Sequence, residues 1–437
     1  NHPLVWLWGA VPSFAVQNVG YSVAAAYNDP QKSFDAQIET IAQFGEDGIP
    51  RMAVGGALDV TWAFGGTLKW PADEYSMAPT ATRHPANSEA EAQALSMPDD
   101  VATAGPFPLY LDFARRCQKN GLPVFPFITS PIEGARSLCG PELLMRWMAK
   151  EPDLAHRLLR LATAYGVAVV HLFAATFRPE DMLTYLAAPT ASNQMLSPRF
   201  FETFVLPYQK QLHEKILQAG IRHIYCHICG EQNKNLPLWR KIPMGNPGIV
   251  SFGHEVDIDT AIKFFGERCI IAGNIEPAII HLGTPDQIYI LCREALTKGI
   301  KAPRGYILMP GCGLPANAPP SNVFILKKAA EDGIAQVVNL GAGYDSRAYR
   351  FHASMPGVKF YEIELPAMVA EKKRRVKKLL GALPEETNTY TREQEFTSSR
   401  SRHPQIMRYK IGVTKEMEVV AIDLDLIGDT CAYGTHG

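Results

Sequence analysis

The sequence predicts an α/β protein, with a (β/α)8 TIM barrel followed by a partial Rossmann-like α/β extension. Two observations lead to this fold class. Short apolar runs alternate with amphipathic helical stretches from Asn1 to about Asp332, which is typical of parallel βαβ units. A second strand-and-turn pattern starts at Ala335. We therefore expect a barrel domain over residues 1–332 and a smaller segment over residues 333–437, with a doubly wound open sheet as the alternative to the barrel.

Composition and charge limit the classes of function that the protein can have. Hydrophobic residues make up 46% of the 437 residues and charged residues 20%, which is ordinary for a soluble globular protein. The net charge is −1, so no overall positive field exists to attract nucleic acid or an anionic membrane. We find no apolar run long enough to span a bilayer and no signal-peptide pattern. The eight cysteines are scattered along the chain, which favours free thiols in a reducing, cytoplasmic compartment.

The elements of the barrel segment are expected from hydrophobic periodicity. Strands are predicted over residues 122–131, 221–230, 268–277 and 305–315. Helices are predicted over residues 197–220, 256–266 and 284–299, and residues 140–170 are expected to hold helices that end in a strand. The polar stretch 82–100 is expected to be an inserted, lid-like loop. In the extension we expect strands at 335–340, 358–366 and 417–426, a basic helix over 367–380 and a polar stretch from about 381.

The stretch HIYCHICG, residues 223–230, suggests half of a metal site. Residues i and i+2 of a strand share a face, so His227 and Cys229 point the same way. Cys226 and Ile228 should face the helical layer. The pair lies just before Gly230, at the carboxyl end of a strand, where a barrel keeps its active site. One imidazole and one thiolate are two of the three protein ligands that a catalytic zinc ion takes.

A third ligand should follow another strand, and Cys312 does so between two glycines. The candidate set is therefore His227, Cys229 and Cys312, whose soft donors favour zinc over magnesium or calcium. The alternative is that these cysteines are small core residues. We expect His223 to be structural, and the cysteines in helix or strand interiors to be core: Cys117, Cys139, Cys269 and Cys292.

Several motifs occur in a shared order along residues 1–332. They are NDPQKSFDAQIETIAQFGEDGI (28–49), LSPRFFETFVLPY (196–208), HICG (227–230), AGNIEP (272–277), LGTPDQI (282–288) and PGCGLP (310–315), with Asn322 shortly after. By these motifs the segment resembles the uroporphyrinogen decarboxylase superfamily, and it is most similar to the zinc-dependent branch that moves methyl groups between corrinoids and thiols. The resemblance implies that His227, Cys229 and Cys312 are the zinc ligands.

Two regions depart from that superfamily. The early motif that carries arginines in the decarboxylases has none here over residues 5–20, which argues against decarboxylation of a porphyrinogen. The usual acidic stretch after the fourth strand has displaced acids over residues 171–183.

The resemblance also implies a mechanism. A substrate thiol takes the open zinc position, is deprotonated, and attacks a methyl group carried on a corrinoid such as cobalamin. His254, Glu255 and Glu276 are candidates for a fourth ligand, although His254 and Glu255 are better placed to line the pocket. Asn274 either bonds the substrate or fixes a turn. We name His254, Glu255 and Asn274 as candidate catalytic residues.

A second motif, VVNLGAGYDSRAYRF, opens the extension with a strand and a Gly-x-Gly turn. An acidic residue, Glu364, ends the next strand, where ribose hydroxyls are bound in such sheets. The segment resembles the leucine carboxyl methyltransferase family of S-adenosylmethionine enzymes. The resemblance implies that Gly341 and Gly343 border the methionine part, that Glu364 binds the ribose, and that Asp423 binds the adenine. The helical region before the sheet and the later half of that family are not found here, so the alternative is a structural remnant.

The leading hypothesis is a zinc-dependent methyl or alkyl transferase that acts on a small-molecule thiol, with a corrinoid protein as a candidate partner. The alternatives are a metal-free lyase of the decarboxylase type, an S-adenosylmethionine-dependent methyltransferase, and a non-catalytic corrinoid- or thiol-binding protein. No nucleic-acid or membrane partner is expected. The incomplete sheet of the extension suggests a partner surface, and hence a homodimer.

Overall fold

The computed structural model describes residues 4–7, 12–52, 58–72, 76 and 78–331 in full. Beyond these it describes the backbone of residues 336–340, 359–364, 366–380, 387–391, 408–413 and 419–425, with the side chains of 370–378. The chain divides into two compact units, Asn1–Glu331 and Asp332–Gly437.

Six strands of the first unit form one parallel sheet, in the order β1-β8-β7-β6-β5-β4. Two further strands, β2 and β3, form a separate antiparallel pair. The strands are β1 (Leu4–Val5), β2 (Thr67–Lys69), β3 (Thr80–Arg83), β4 (Leu183–Ala187), β5 (His223–Ile228), β6 (Gly248–Phe252), β7 (Cys269–Ile275) and β8 (Tyr306–Pro310). The register places His227 of β5 opposite Ser251 of β6.

Two further segments lie along the two edges of the six-stranded sheet. Parallel bridges join Val124 to Met182 and Phe127 to Tyr185, beside β4. On the other side the Asp47 amide donates to the Val5 carbonyl at 2.9 Å, beside β1. The predicted strand over 122–131 is therefore present only as isolated bridges. Its prolines at 123 and 126 have no N–H to give to a ladder.

Helices surround this barrel. They are α1 (Ser13–Asn18), α2 (Ala25–Asn28), α3 (Pro30–Phe44), α4 (Leu58–Ala63), α5 (Glu89–Ala94), α6 (Phe107–Lys119), α7 (Pro131–Cys139), α8 (Pro141–Lys150), α9 (Pro152–Thr176), α10 (Pro198–Phe200), α11 (Leu206–Gln218), α12 (Leu236–Trp239), α13 (Ile258–Phe265), α14 (Pro277–Leu282), α15 (Pro285–Gly299) and α16 (Pro320–Glu331). A π-helical turn, Phe201–Val205, joins α10 to α11, and 3-10 turns cover Pro179–Asp181 and Pro189–Ala191.

The strand expected at the end of residues 140–170 is wrong, because α9 runs unbroken to Thr176. Val169, Val170 and Phe173 are buried on one side of this helix, so the apolar run serves a helix face, which a short run does not distinguish from a strand. The expectation that no apolar run is long enough to span a bilayer is also corrected, because α9 has the length and composition to do so. Half of its apolar window is buried inside this fold. The expected loop over 82–100 is also partly wrong, because it holds the end of β3 and all of α5.

Side chains alternate between two cores along each barrel strand. The interior core consists of Trp6, Phe125, Phe127, Tyr185, Tyr225, Ile249, Ala272, Ile307 and Met309. Cys226 and Ile228 belong instead to the large core between the sheet and the helices. The facing predicted for β5 is therefore correct, and His227 points to the barrel interior side.

The start of α15 offers a test of local stability. Thr284 accepts a hydrogen bond from the Gln287 amide and Gln287 accepts one from the Thr284 amide, which makes a capping box. Thr284→Ala should lower the free energy of unfolding by about 1 kcal/mol in denaturant titrations. Thr297→Ala removes an exposed hydroxyl of the same helix and should change it much less. Equal losses of unfolding free energy in the two variants would contradict a stabilising role for the capping box.

The second unit begins with the two strands and the helix that were predicted from the sequence. A parallel sheet with the order β11-β10-β9 is formed by β9 (Gln336–Leu340), β10 (Lys359–Glu364) and β11 (Thr387–Thr391), and α17 (Pro366–Leu380) follows β10. β11 lies in the stretch that was described from the sequence only as polar, and its threonines and tyrosine favour a strand. The strand with Asp423, β13 (Val419–Asp425), was expected as the third strand of this sheet. It pairs antiparallel with β12 (Arg408–Val413) instead.

Candidate metal centre

His227, Cys229 and Cys312 meet at the carboxyl end of the barrel. Their ligand atoms all lie within 4.8 Å of one another, and the two sulfur atoms are 3.8 Å apart. His227 is on β5, Cys229 follows that strand directly, and Cys312 follows β8. Parallel strands end at the same edge of the barrel, so residues far apart in sequence come together.

The donor atoms fit a zinc ion. Two sulfurs bound tetrahedrally at about 2.3 Å from one zinc would be about 3.8 Å apart, which matches the separation between Cys229 and Cys312. His227 Nε2 is buried and has no hydrogen-bond partner, while its Nδ1 lies 2.7 Å from Ser251 Oγ. A buried ring nitrogen without a partner is costly unless another species binds it. One nitrogen and two sulfurs suit zinc and leave a position for a further ligand.

The two cysteines differ in their affinity for a proton. The contact between the two sulfurs holds the pKa of Cys312 well below its ordinary range, and the nearby His227 imidazole acts in the same direction. The same contact raises the pKa of Cys229, and burial adds to this effect. Zinc takes cysteine as thiolate, so metal binding would release the protons that the two thiols carry.

Three glycines let the strand ends approach closely enough to bring the cysteines together. Gly230 has a left-handed φ of 80°, and a Cβ there would lie 2.9 Å from Ser192 Cβ. A Cβ on Gly253 would lie 3.0 Å from the Gly230 nitrogen, and one on Gly311 would lie 3.2 Å from Gly253 Cα. The loops after β5, β6 and β8 thus pack main chain against main chain.

Glu255 and His254 lie beside the cysteine pair. Glu255 Oε2 is buried without a hydrogen-bond partner, and the charge of this carboxylate contributes to the raised pKa of Cys229. His254 Nδ1 is 3.7 Å from that oxygen, and the imidazole is about half exposed. Among the described residues, neither side chain joins the 4.8 Å group. They therefore line the mouth of the centre.

The two remaining candidates, Asn274 and Glu276, lie near the end of β7 and at the start of α14. Asn274 donates from Nδ2 to the Val256 carbonyl at 2.7 Å, which ties the end of β7 to the loop that carries Glu255 and favours the turn-fixing role. Glu276 stands at the start of α14 and is not in the group of metal-binding atoms found within the described ranges.

The residues that were predicted to have structural roles lie at positions consistent with those roles. His223 lies at the other end of β5 from Cys229, and its Nδ1 is 2.9 Å from the Pro247 carbonyl. The four cysteines expected in the core are buried and free: Cys117, Cys139, Cys269 and Cys292.

Sequence reasoning missed several residues around the centre. Arg51 is buried inside the barrel, and its guanidinium carbon is 4.0 Å from the centroid of the Tyr185 ring. The sequence holds a signal for this residue, because it is a single arginine in an apolar stretch. It was missed because arginines were expected only over residues 5–20. Glu133 is also buried, pairs with Arg136 at 3.0 Å, and acts on Cys229 through its charge. Ser251 gave no signal, because its role depends on strand register.

The residues expected to bind S-adenosylmethionine are described only in part. Gly341 and Gly343 lie outside the described residues. Glu364 ends β10 and Asp423 lies within β13, and only their backbone is described.

Two family models match the chain, each over most of one compact unit. The family model for uroporphyrinogen decarboxylase (URO-D) matches residues 1–332. The family model for leucine carboxyl methyltransferase matches residues 324–428.

Curated relatives match parts of the chain. It is 29% identical over 245 residues to a methylated-thiol–coenzyme M methyltransferase of Methanosarcina mazei, with 54% of this chain and 62% of the relative covered. It is 30% identical over 145 residues to a methylcobamide:CoM methyltransferase of Methanosarcina acetivorans, with 33% of this chain and 40% of the relative covered. A uroporphyrinogen decarboxylase of Trichodesmium erythraeum is 26% identical over 239 residues, with 51% and 61% covered. The chain thus spans less than two thirds of each of these relatives.

A solved structure shares the fold. It is a methyltransferase from Methanosarcina mazei, with a TM-score of 0.64, and the match covers 76% of this chain and 93% of that one. The sequence identity is 20%, so this likeness shows the architecture of the barrel and not its chemistry.

Proposed function

The chain belongs to the uroporphyrinogen decarboxylase family, and from this premise we propose that it is a zinc-dependent methyltransferase that moves a methyl group from a methylcorrinoid to a thiol. The observation that carries the proposal is the group formed by His227, Cys229 and Cys312, with an unpartnered Nε2 and two sulfurs at zinc-like separation. Two relatives whose names include methyltransferase and coenzyme M add support.

In this proposal His227 Nε2 and the sulfurs of Cys229 and Cys312 hold the ion. Bound there, zinc would lower the pKa of a substrate thiol, so that the thiol is present as thiolate at neutral pH. The two anionic cysteines would keep that thiolate electron-rich. The substrate sulfur would bond to the methyl carbon, and the electron pair of the carbon–cobalt bond would stay with the corrinoid, which is a co-substrate.

Glu255 and His254 are proposed to move the thiol proton. Glu255 Oε2 is a buried acceptor without a partner, and it can take the proton as the S–H bond breaks. His254 Nδ1 is 3.7 Å away and the ring is about half exposed, so it can pass the proton on to water. Asn274 is proposed to hold the loop that carries both residues, through its bond to Val256.

The domain boundary and the second unit remain proposals too. We place the boundary after Asp332, since the family match ends there and the compact units divide between residues 331 and 332. A second candidate function, binding of S-adenosylmethionine, is suggested only by the leucine carboxyl methyltransferase match. Titration of the full chain with S-adenosylmethionine tests it. The cytoplasmic location and the homodimer stay predictions.

The proposed activity is tested with the full chain, methylcobalamin as donor and 2-mercaptoethanesulfonate as acceptor. Demethylation of the corrinoid, followed by its absorbance, should require both the thiol and zinc. A strong chelator should stop the reaction, and added zinc should restore it. S-adenosylmethionine in place of methylcobalamin serves as the donor control. Thiol-independent turnover, or full activity in protein freed of zinc, would contradict the proposal.

A further inference from the structure

The loop that follows Cys229 carries five polar residues in a row, EQNKN, which we call segment 231–235. Two of its side chains, Gln232 and Asn235, are fully buried. Burial of an amide side chain is costly unless its polar atoms are hydrogen-bonded. The partners of these side chains therefore indicate what the segment does.

Gln232 closes the turn that holds Cys229. Its Nε2 donates to the Cys229 carbonyl at 3.2 Å, and its Oε1 accepts from Trp239 Nε1 at 3.0 Å. An indole N–H can only donate, so it must face the amide oxygen, and the amide nitrogen then points to Cys229. Trp239 is itself fully buried and packs edge-to-face on Phe201, with 5.1 Å between the ring centroids. The orientation of the Gln232 amide is therefore fixed.

The same segment is bound to the loop that follows β4. The Asn193 amide donates to the Glu231 carbonyl at 2.6 Å, and the Lys234 amide donates to Asn193 Oδ1 at 3.0 Å. Asn235 Nδ2 donates to the Ala191 carbonyl at 2.9 Å. These three hydrogen bonds join the loop after β4 to the loop after β5.

Asn233 binds the loop that follows β6. Its Nδ2 donates to the Glu255 carbonyl at 3.0 Å. Glu231 Oε1 accepts from the main-chain amide and from Nδ2 of Asn233, at 2.7 Å each, which holds that side chain in place. The loop that carries Glu255 is thereby tied to the turn after Cys229.

We propose that segment 231–235 fixes the loops after β4, β5 and β6 in the arrangement that binds the metal, and that Gln232 is the positioning residue for Cys229. A binding site that is ordered before its ligand arrives loses less conformational entropy on binding. The segment should therefore raise the affinity for the metal. The inference rests on the proposed function in one respect, namely that Cys229 binds zinc.

Zinc affinity of the full chain, measured by chelator competition, tests the role of Gln232. Gln232→Met keeps the length of the side chain but removes both hydrogen bonds. It should lower zinc affinity by roughly 10–100-fold, as the loss of outer partners does at other metal sites. Gln37→Met is the matched control, because Gln37 is also fully buried and its amide binds the main chain of Arg51. The control should be less stable than the wild type but keep its zinc affinity.

Trp239→Phe tests the orientation of the Gln232 amide. It keeps an aromatic ring against Phe201 but removes the N–H that faces Gln232 Oε1. Zinc affinity should fall, although by less than in Gln232→Met. Trp147→Phe is the matched control, because Trp147 is also buried and its Nε1 has no hydrogen-bond partner among the residues that the structure describes. It should leave zinc affinity unchanged.

Amide hydrogen exchange in the metal-free protein measures the arrangement of the loops without any metal. The amides of Asn193 and Lys234 should exchange faster in Gln232→Met than in the wild type, by roughly 2–10-fold, as expected when a hydrogen bond of the same unit is lost. Asn233→Ala changes an exposed residue and should have the same effect. In Gln37→Met these two amides should exchange as in the wild type.

The outcomes separate the two proposals. Wild-type zinc affinity in Gln232→Met, or an equal loss of affinity in Gln37→Met, would overturn the positioning role. Unchanged exchange of the Asn193 and Lys234 amides in Gln232→Met would overturn it as well. If the wild type bound no zinc, the proposed function would fail, whereas the exchange rates would still decide whether segment 231–235 fixes the loops. Should Gln232→Met not fold, Trp239→Phe and Asn233→Ala decide the same question.

Discussion

Replacing Cys312 with serine should remove zinc from the protein and abolish methyl transfer. Cys312 Sγ lies 3.8 Å from Cys229 Sγ, and its pKa is held low by the Cys229 thiol, so it is the readiest thiolate of the group. A serine hydroxyl is a poor zinc ligand, since zinc in proteins prefers thiolate, imidazole and carboxylate. The loss of activity should exceed the roughly 10–100-fold that loss of an outer partner costs.

Metal content by mass spectrometry, beside the methylcobalamin assay, checks this expectation. Cys269→Ala is the matched control, because Cys269 is a buried free cysteine on β7 outside the 4.8 Å group. Near-stoichiometric zinc in the wild type and the control, but not in Cys312→Ser, would join residues distant in sequence into one site. Full zinc in Cys312→Ser would rule out Cys312 as a ligand.

Asp59→Asn should make the protein more stable at neutral pH. Asp59 is 1% exposed, its Oδ2 accepts from Thr129 Oγ1 at 2.6 Å, and its Oδ1 has no partner. Burial raises its pKa from 3.8 to about 6. The folded state therefore binds the proton more tightly than the unfolded chain, so this group's stabilising contribution is full below about pH 4 and is lost as the pH rises to about 6. The difference is about 3 kcal/mol, and an asparagine removes it.

Chemical denaturation of both proteins between pH 4 and pH 8 measures the effect. The free energy of unfolding of Asp59→Asn, relative to the wild type, should rise across this range and then stay constant above about pH 6. Asp99→Asn changes an exposed carboxylate and should leave the pH profile as it is in the wild type. A constant difference between wild type and Asp59→Asn at every pH would mean that Asp59 has no raised pKa.

The grouping of His227, Cys229 and Cys312 could be predicted because it depends on local rules. Alternation along β5 sets the facing of His227 and Cys229, and parallel strands bring their ends to one edge, where Cys312 also lies. The contact between His227 and Ser251 could not be predicted, because it depends on the register between β5 and β6. The error at α9 has the same origin, since an apolar run such as that around Val169 becomes a helix or a strand according to what covers it.

The glycines at the ends of β5, β6 and β8 bear on which metals the centre accepts. Gly230, Gly253 and Gly311 bring the main chains of these loops close together, so main-chain packing holds the backbones of Cys229 and Cys312 at a fixed separation. An ion with longer bonds to sulfur, such as cadmium, would have to be accommodated by rotation of the cysteine side chains or by movement of the strand ends. The centre would then select among metal ions by their radius, through the packing of the barrel rim, as well as by the softness of its donor atoms.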